Sequence, residues 1–202
     1  TAPQVTAAPS RPANGAGWYS APLTVSFSGG DATSGLDSCD PLKSFSGPDS
    51  ATAAVAGTCR DQAGNTGSTS FALKYDATAP VTTAAPSRQP NANGWFNAAL
   101  TVSFAATDAT STVDSCDAVK GYSGPDIATT ALAGICRDKA GNSSSAAYAI
   151  KYDATAPQTT AAPSRQPNAS GWYTAPLTVG FSATDATSTV DSCDAAKSYS
   201  GP

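Results

Sequence analysis

The chain has 202 residues, a net charge of −4, and no His, Glu or Met. That excludes His-based triads and His zinc sites, leaves only Asp for a glycosidase-type carboxylate pair, and offers no basic patch of the kind that nucleic-acid binding leans on. Ala, Thr, Ser, Gly and Pro dominate, which favours strands and turns over helices, and no apolar run approaches the ~20 residues that span a membrane.

Residues 1–17 carry Pro3, Pro9 and Pro12, then Asn14-Gly15-Ala16-Gly17. This suits an extended, edge-like first strand and a loop. Leu23-Thr24-Val25-Ser26-Phe27 alternates at period two, so Leu23, Val25 and Phe27 face one side of a half-buried strand. An Asp-rich turn, Asp31 to Gly35, leads to Leu36-Asp37-Ser38-Cys39, and Lys43 to Ser46 reads as a short strand before a Gly47-Pro48-Asp49 turn. Ala53 to Cys59 alternates again, with Val55, Gly57 and Cys59 on one face. Asp61-Gln62-Ala63-Gly64-Asn65 is a hairpin turn by composition, and Phe71, Leu73 and Tyr75 face inward on the last strand.

At Thr78 the pattern starts again, and at Thr155 a third time, so the period is 77 residues (78 − 1 and 155 − 78). The second and third copies are identical at 39 of the 48 positions they share. The expected organisation is three repeats, 1–77, 78–154 and the N-terminal part of a third, 155–202. About seven short strands per repeat, with no helical periodicity, point to an all-β chain of antiparallel sandwiches arranged as a string. The chain reads as a mature fragment or part of something longer. The third copy lacks counterparts of the later core residues Leu132, Cys136, Tyr148 and Ile150, so either the chain continues or another chain supplies the missing strands by β-addition. The linker Tyr75-Asp76-Ala77-Thr78-Ala79-Pro80 is short, and Pro80 holds Ala79 extended, so successive modules are expected to be semi-rigidly joined.

Each complete repeat has one pair of cysteines, Cys39 with Cys59 and Cys116 with Cys136, the pattern of an oxidising compartment. A bridge closing a loop of about 20 residues contributes roughly 3 kcal/mol in the chain-entropy model. Cys193 is left unpaired in this chain. Two Cys and no His cannot complete a tetrahedral zinc site. Asp31, Asp61 and Asp76 could converge near a module end as hard oxygen ligands for Ca²⁺, or could simply serve turns and surface charge. Trp18, Trp95 and Trp172 could be exposed sugar-stacking platforms or caps on the core. Asn142-Ser143-Ser144 and Asn168-Ala169-Ser170 fit the N-glycosylation pattern.

Gly17-Trp18-Tyr19 followed by Leu-Thr-Val-Ser-Phe, Gly57 to Asn65, and Lys74-Tyr75-Asp76-Ala77-Thr78-Ala79-Pro80 together resemble the bacterial immunoglobulin-like tandem repeats of secreted or surface-anchored proteins. The resemblance covers the whole chain. One departure is that Thr112 and Thr189 stand where Gly35 does, so this turn's need for a positive φ is open. The resemblance implies a stalk, spacer, adhesin shaft or filament body at a bacterial cell surface or in the secreted fraction, and no catalytic residues. The expected partners are copies of the chain itself or a cell-surface glycan. The alternative is a carbohydrate- or surface-binding module that uses the Trp-bearing loops. No cofactor is required, with Ca²⁺ the one to consider.

Overall fold

Alternation of apolar and small polar residues sets the strands, and Pro, Gly and Asp set the breaks between them. A computed structural model describes residues 1–201. Within the first copy the strands are β1 (Gln4–Pro9), β2 (Trp18–Tyr19), β3 (Leu23–Gly30), β4 (Leu36–Cys39), β5 (Lys43–Phe45), β6 (Ser50–Asp61) and β7 (Thr66–Tyr75). The second copy repeats them as β8 (Val81–Pro86), β9 (Trp95–Phe96), β10 (Leu100–Thr107), β11 (Val113–Cys116), β12 (Lys120–Tyr122), β13 (Ile127–Asp138) and β14 (Ser143–Tyr152). The third contributes β15 (Gln158–Pro163), β16 (Leu177–Thr184) and β17 (Lys197–Tyr199), and no helix occurs among the described residues. The chain is therefore all-β, as its composition leads one to expect.

The first copy forms two sheets, one in the order β1-β3-β5 and one in the order β2-β7-β6-β4. The second repeats both orders, and β15-β16-β17 repeats the first. Pro3 and Pro9 bracket β1, which is an edge strand where missing N–H donors are tolerated. One pairing was not legible. The two-residue β2 lies parallel to the end of β7, placing Trp18 opposite Lys74 and Tyr19 opposite Tyr75.

The chain divides into two compact units that do not follow the repeat boundaries: residues Thr1–Ala85, Ser103–Val119 and Ala133–Ala147, and residues Pro86–Val102, Lys120–Leu132 and Tyr148–Pro202. In the first unit one core is built from both sheets of copy one. Leu23, Val25 and Phe27 of β3 meet Tyr19, Val55, Leu73 and Tyr75, with Ala7, Phe45 and Phe71 packed around them. Val25 is fully buried, and removing such a side chain exposes the core to a cavity penalty. Gly57 has a specific task there. A Cβ on it would stand 2.4 Å from the Phe27 ring, so only glycine lets that ring lie against β6. Gly134 meets Phe104 in the same way, also at 2.4 Å. In the second unit, Phe96, Leu100, Val102, Ile150 and Tyr152 are buried, and the Tyr122 and Tyr152 rings meet edge to face at 5.3 Å.

Both disulfides form. Cys39 on β4 is joined to Cys59 on β6, and Cys116 on β11 to Cys136 on β13. In each pair the two residues are direct cross-strand neighbours. The bridge thus ties adjacent strands of one sheet and anchors the short β4 and β11, which carry little apolar surface of their own. Two disulfides indicate an oxidising, non-cytoplasmic setting. No helix among the described residues is long and apolar enough to cross a membrane.

The turn after β3 settles the glycine question. Gly35 has φ +75°, and Thr112 and Thr189 adopt 64° and 63°. The left-handed conformation is therefore kept where the residue is β-branched, at a steric cost of roughly 1–2 kcal/mol. Asp108 holds Thr112 there, its Oδ1 accepting from the Thr112 N–H at 2.9 Å, while the Thr112 carbonyl accepts from the Lys139 N–H at 3.0 Å.

Candidate functional site

The polar chemistry concentrates where one copy hands over to the next. In the first unit, Asp76 directly follows β7, its N–H donating to the Tyr19 carbonyl at 2.9 Å. Its side chain is fully buried, with Oδ1 accepting from the Thr78 N–H at 3.1 Å and Oδ2 from the Ser111 N–H at 3.0 Å. From the preceding side, Asp49 accepts from the Ala77 N–H at 2.9 Å and from the Thr78 hydroxyl. From the following side, Asn142 Nδ2 donates to the carbonyls of Asp76 at 2.9 Å and Thr78 at 3.1 Å. Asn142 is itself fixed by Asp138, which accepts from its N–H at 2.8 Å and from Nδ2 at 2.9 Å. Two further bonds close the joint, Asn14 Nδ2 to the Lys139 carbonyl at 2.9 Å and the Ser144 hydroxyl to the Pro80 carbonyl. The linker's backbone is thereby held from both sides, which explains why the Asp-x-Ala-Gly-Asn turn and the Asp-x-Thr-Ala-Pro linker occur together in the sequence.

The Asp residues weighed as calcium ligands are distributed differently from expectation. Asp31 caps its own turn, accepting from the N–H groups of Thr33 at 2.9 Å and Ser34 at 2.7 Å. The Ser34 N–H, followed by that of Thr33, holds its carboxyl at about 2. Asp61 is buried and accepts from the Asn65 N–H and Nδ2, each at 2.8 Å, and the Asn65 side chain holds it below the usual range. Asp76 belongs with neither. It groups with Asp108 and Asp138, one ligand oxygen from each lying within 4.8 Å of the others. Asp108 and Asp138 are the next copy's counterparts of Asp31 and Asp61 (31 + 77 and 61 + 77). The carboxylates that come together are thus not Asp31, Asp61 and Asp76 of one copy but a set drawn from two copies across a repeat boundary. The reason is geometric: β7 ends where the next copy's turns begin. By charge and oxygen chemistry the three carboxylates suit a divalent cation. Each also accepts from backbone N–H groups, which stabilise the same negative charge directly. Burial pushes the Asp76 carboxyl up, outweighing the hydrogen bond from Ser111 that lowers it.

The second unit contains the next joint. Asp153 donates its N–H to the Phe96 carbonyl at 2.9 Å and accepts from the N–H groups of Thr155 at 3.0 Å and Ser188 at 3.1 Å. Asp126 accepts from the Ala154 N–H at 2.9 Å and the Thr155 hydroxyl. Beside them opens a polar cavity of about 660 Å³, bordered by Asn91, Trp95, Asp153, Thr155, Asp185 and Thr189 among others.

The three tryptophans form a series. Trp18 is 7% exposed, with Lys74 Nζ 5.7 Å from its ring centre. Trp95 is half-buried with Lys151 Nζ at 5.9 Å, and Trp172 is 73% exposed. Trp18 thus sits as a covered cap, while Trp172 presents its ring to solvent. In all three copies the preceding Asn shapes the loop, its Oδ1 accepting from the Trp N–H: Asn14 to Trp18 and Asn91 to Trp95 at 2.9 Å, and Asn168 to Trp172 at 2.8 Å. Cys193 is free and exposed. The Asn142 side-chain nitrogen, part of one glycosylation pattern, is already committed to two linker carbonyls and Asp138.

Sequence reasoning missed Asn14, Asp49, Ser111 and Asn142 as joint residues. Their recurrence at the 77-residue period was visible; their convergence depends on where β7 delivers the linker. No protein-family model matches the chain, and no curated protein matches it.

Proposed function

We propose that the chain is a string of immunoglobulin-like β-sandwich modules, 1–77, 78–154 and 155–202, of the kind found in bacterial secreted or surface-anchored proteins. It acts as a stalk, spacer, adhesin shaft or filament body outside the cytoplasm. The observation that carries this reading is the linker held from both sides, by Asp49 of the preceding copy and by Asn142 and Ser111 of the following one. A joint whose Asp76 and Thr78 carbonyls, Ala77 and Thr78 N–H groups and one buried carboxylate are bonded resists bending. Stiffness is what a spacer needs and what an independent binding module does not. The disulfides suit the same role, since an exposed module under load benefits from a constrained unfolded state. The reading gives no residue a catalytic role.

Small-angle scattering and electron microscopy of the native chain test it, alongside an Asp49→Ala/Asn142→Ala variant. The expected result is a narrow distribution of end-to-end distance that broadens in the variant. A native distribution as broad as the variant's would sink the spacer reading.

A further inference from the structure

Copy one holds a cavity of about 470 Å³ at the start of β6, where the pairing with β7 shifts between Ser50 and Ala53. Its lining is apolar: Tyr19 of β2, Phe71 and Leu73 of β7, and a wall of alanines that includes Ala13 and Ala53. Every lining residue belongs to copy one, and none comes from the chain's terminal strands β1 and β17. Two of these positions carry larger residues in copy two, Pro90 for Ala13 and Thr130 for Ala53 (13 + 77 and 53 + 77). The small side chains that open the space are thus particular to copy one. The charge at its margin is positive. Lys74 lines the cavity, its Nζ 5.7 Å from the Trp18 ring centre, and the Arg11 guanidinium lies 5.9 Å from the ring centre of Tyr19. Neither cation forms an ion pair among the described residues, and no carboxylate lines the cavity. Arg11 Nη2 donates to the Ala21 carbonyl, but its Nε is buried with no acceptor.

We propose that this cavity is a binding site for a small aromatic carboxylate. The hydrocarbon body lies against Tyr19, Phe71, Leu73 and the alanine methyls, where burial of apolar surface drives binding. The carboxylate meets Lys74 at the rim, and Arg11 adds positive potential from over the Tyr19 ring. An ion pair at the rim of an apolar cavity is screened less than one on an open surface. A sugar fits poorly, because its hydroxyls would be buried against a wall of methyls and rings that offers few partners. An uncharged hydrocarbon makes the same apolar contacts and gains nothing from Lys74. The joint residues Asp49, Asp76 and Asn142 do not line this cavity, so the site is separate from the joint and stands whether or not the chain is a spacer.

Calorimetric titration of the full chain with 2-naphthoate tests this, with methyl NMR to locate the ligand. The expected result is one equivalent bound per chain with a Kd below about 1 mM, and shifts at Ala13, Ala53 and Leu73 but not at their copy-two counterparts. The uncharged 2-naphthamide is expected to bind at least about tenfold more weakly, and so is 2-naphthoate to a Lys74→Gln chain. Ala53→Thr, which installs copy two's residue at this position, is expected to abolish binding and keep the Tm. The amide comparison uses the native chain, so it decides the matter even where a variant fails to fold. Naphthamide binding as tightly as naphthoate, native affinity in a folded Ala53→Thr chain, a second equivalent bound, or no saturation by about 1 mM would overturn the proposal.

Discussion

The joint at Asp76 and the joint at Asp153 begin alike and finish differently. Each has a terminal Asp accepting from an N–H two residues on, a second N–H from the following copy, and a Gly-Pro-Asp turn holding the linker from behind. Only the first has an Asn142 and a Lys139 laid over it. There Trp18 is 7% exposed; at the other joint Trp95 is half-buried beside an open cavity. At both joints the linker's own turn is set by the terminal Asp, Asp76 or Asp153, which accepts from the N–H two residues on.

Removing what holds the hairpin breaks the comparison most strongly. A Cys116→Ser/Cys136→Ser chain is expected to lose about 2–4 kcal/mol of stability in the second copy, measured by denaturant unfolding, with the Cys39–Cys59 bridge intact. Asn142→Ala is next. It strips the Asp76 and Thr78 carbonyls and the Asp138 carboxylate of a donor, an expected loss of about 1–3 kcal/mol. Acrylamide quenching should then find Trp18 approaching the accessibility of Trp95; a Trp18 as protected as before would show that the hairpin covers it without this clamp.

Thr112→Gly sharpens the comparison in the other direction. Relief of the left-handed strain, less the entropy that glycine loses on folding, is expected to raise stability by up to about 1 kcal/mol, seen as a higher Tm. The smallest effect is on pH dependence. Burial raises the Asp76 carboxyl, so the folded chain takes up this proton more readily than the unfolded one. Its destabilising charge is therefore fully felt above the raised value and relieved as pH falls through it toward the ordinary 3.8. Asp49, Asp61 and Asp126 are shifted down and lose stability only below that. The Tm difference between Asp76→Asn and the native chain should accordingly move in the native chain's favour on acidification from neutral pH toward 4. A pH-independent difference would remove the buried charge from the account.

Much of the fold was legible because its signal is local. The alternation of Leu23, Val25 and Phe27 placed β3, and the single cysteine pair per repeat gave both disulfides. What escaped depends on distant segments meeting. The pairing of Trp18 with Lys74 has no periodicity to announce it, since β2 is two residues long. The acid trio was sought within a copy, although period alone cannot say whether Asp76 closes its own module or opens the next. The positive φ at Thr112 was hidden because a β-branched residue normally argues against it.

The turn that ends in Asn142 bonds the linker before it at the Asp76 and Thr78 carbonyls, and its Lys139 carbonyl accepts from Asn14 Nδ2 of the preceding copy. Opening of the β13–β14 hairpin would therefore strip the Asp76 and Thr78 carbonyls of their donor, so damage to one copy would loosen the joint that precedes it.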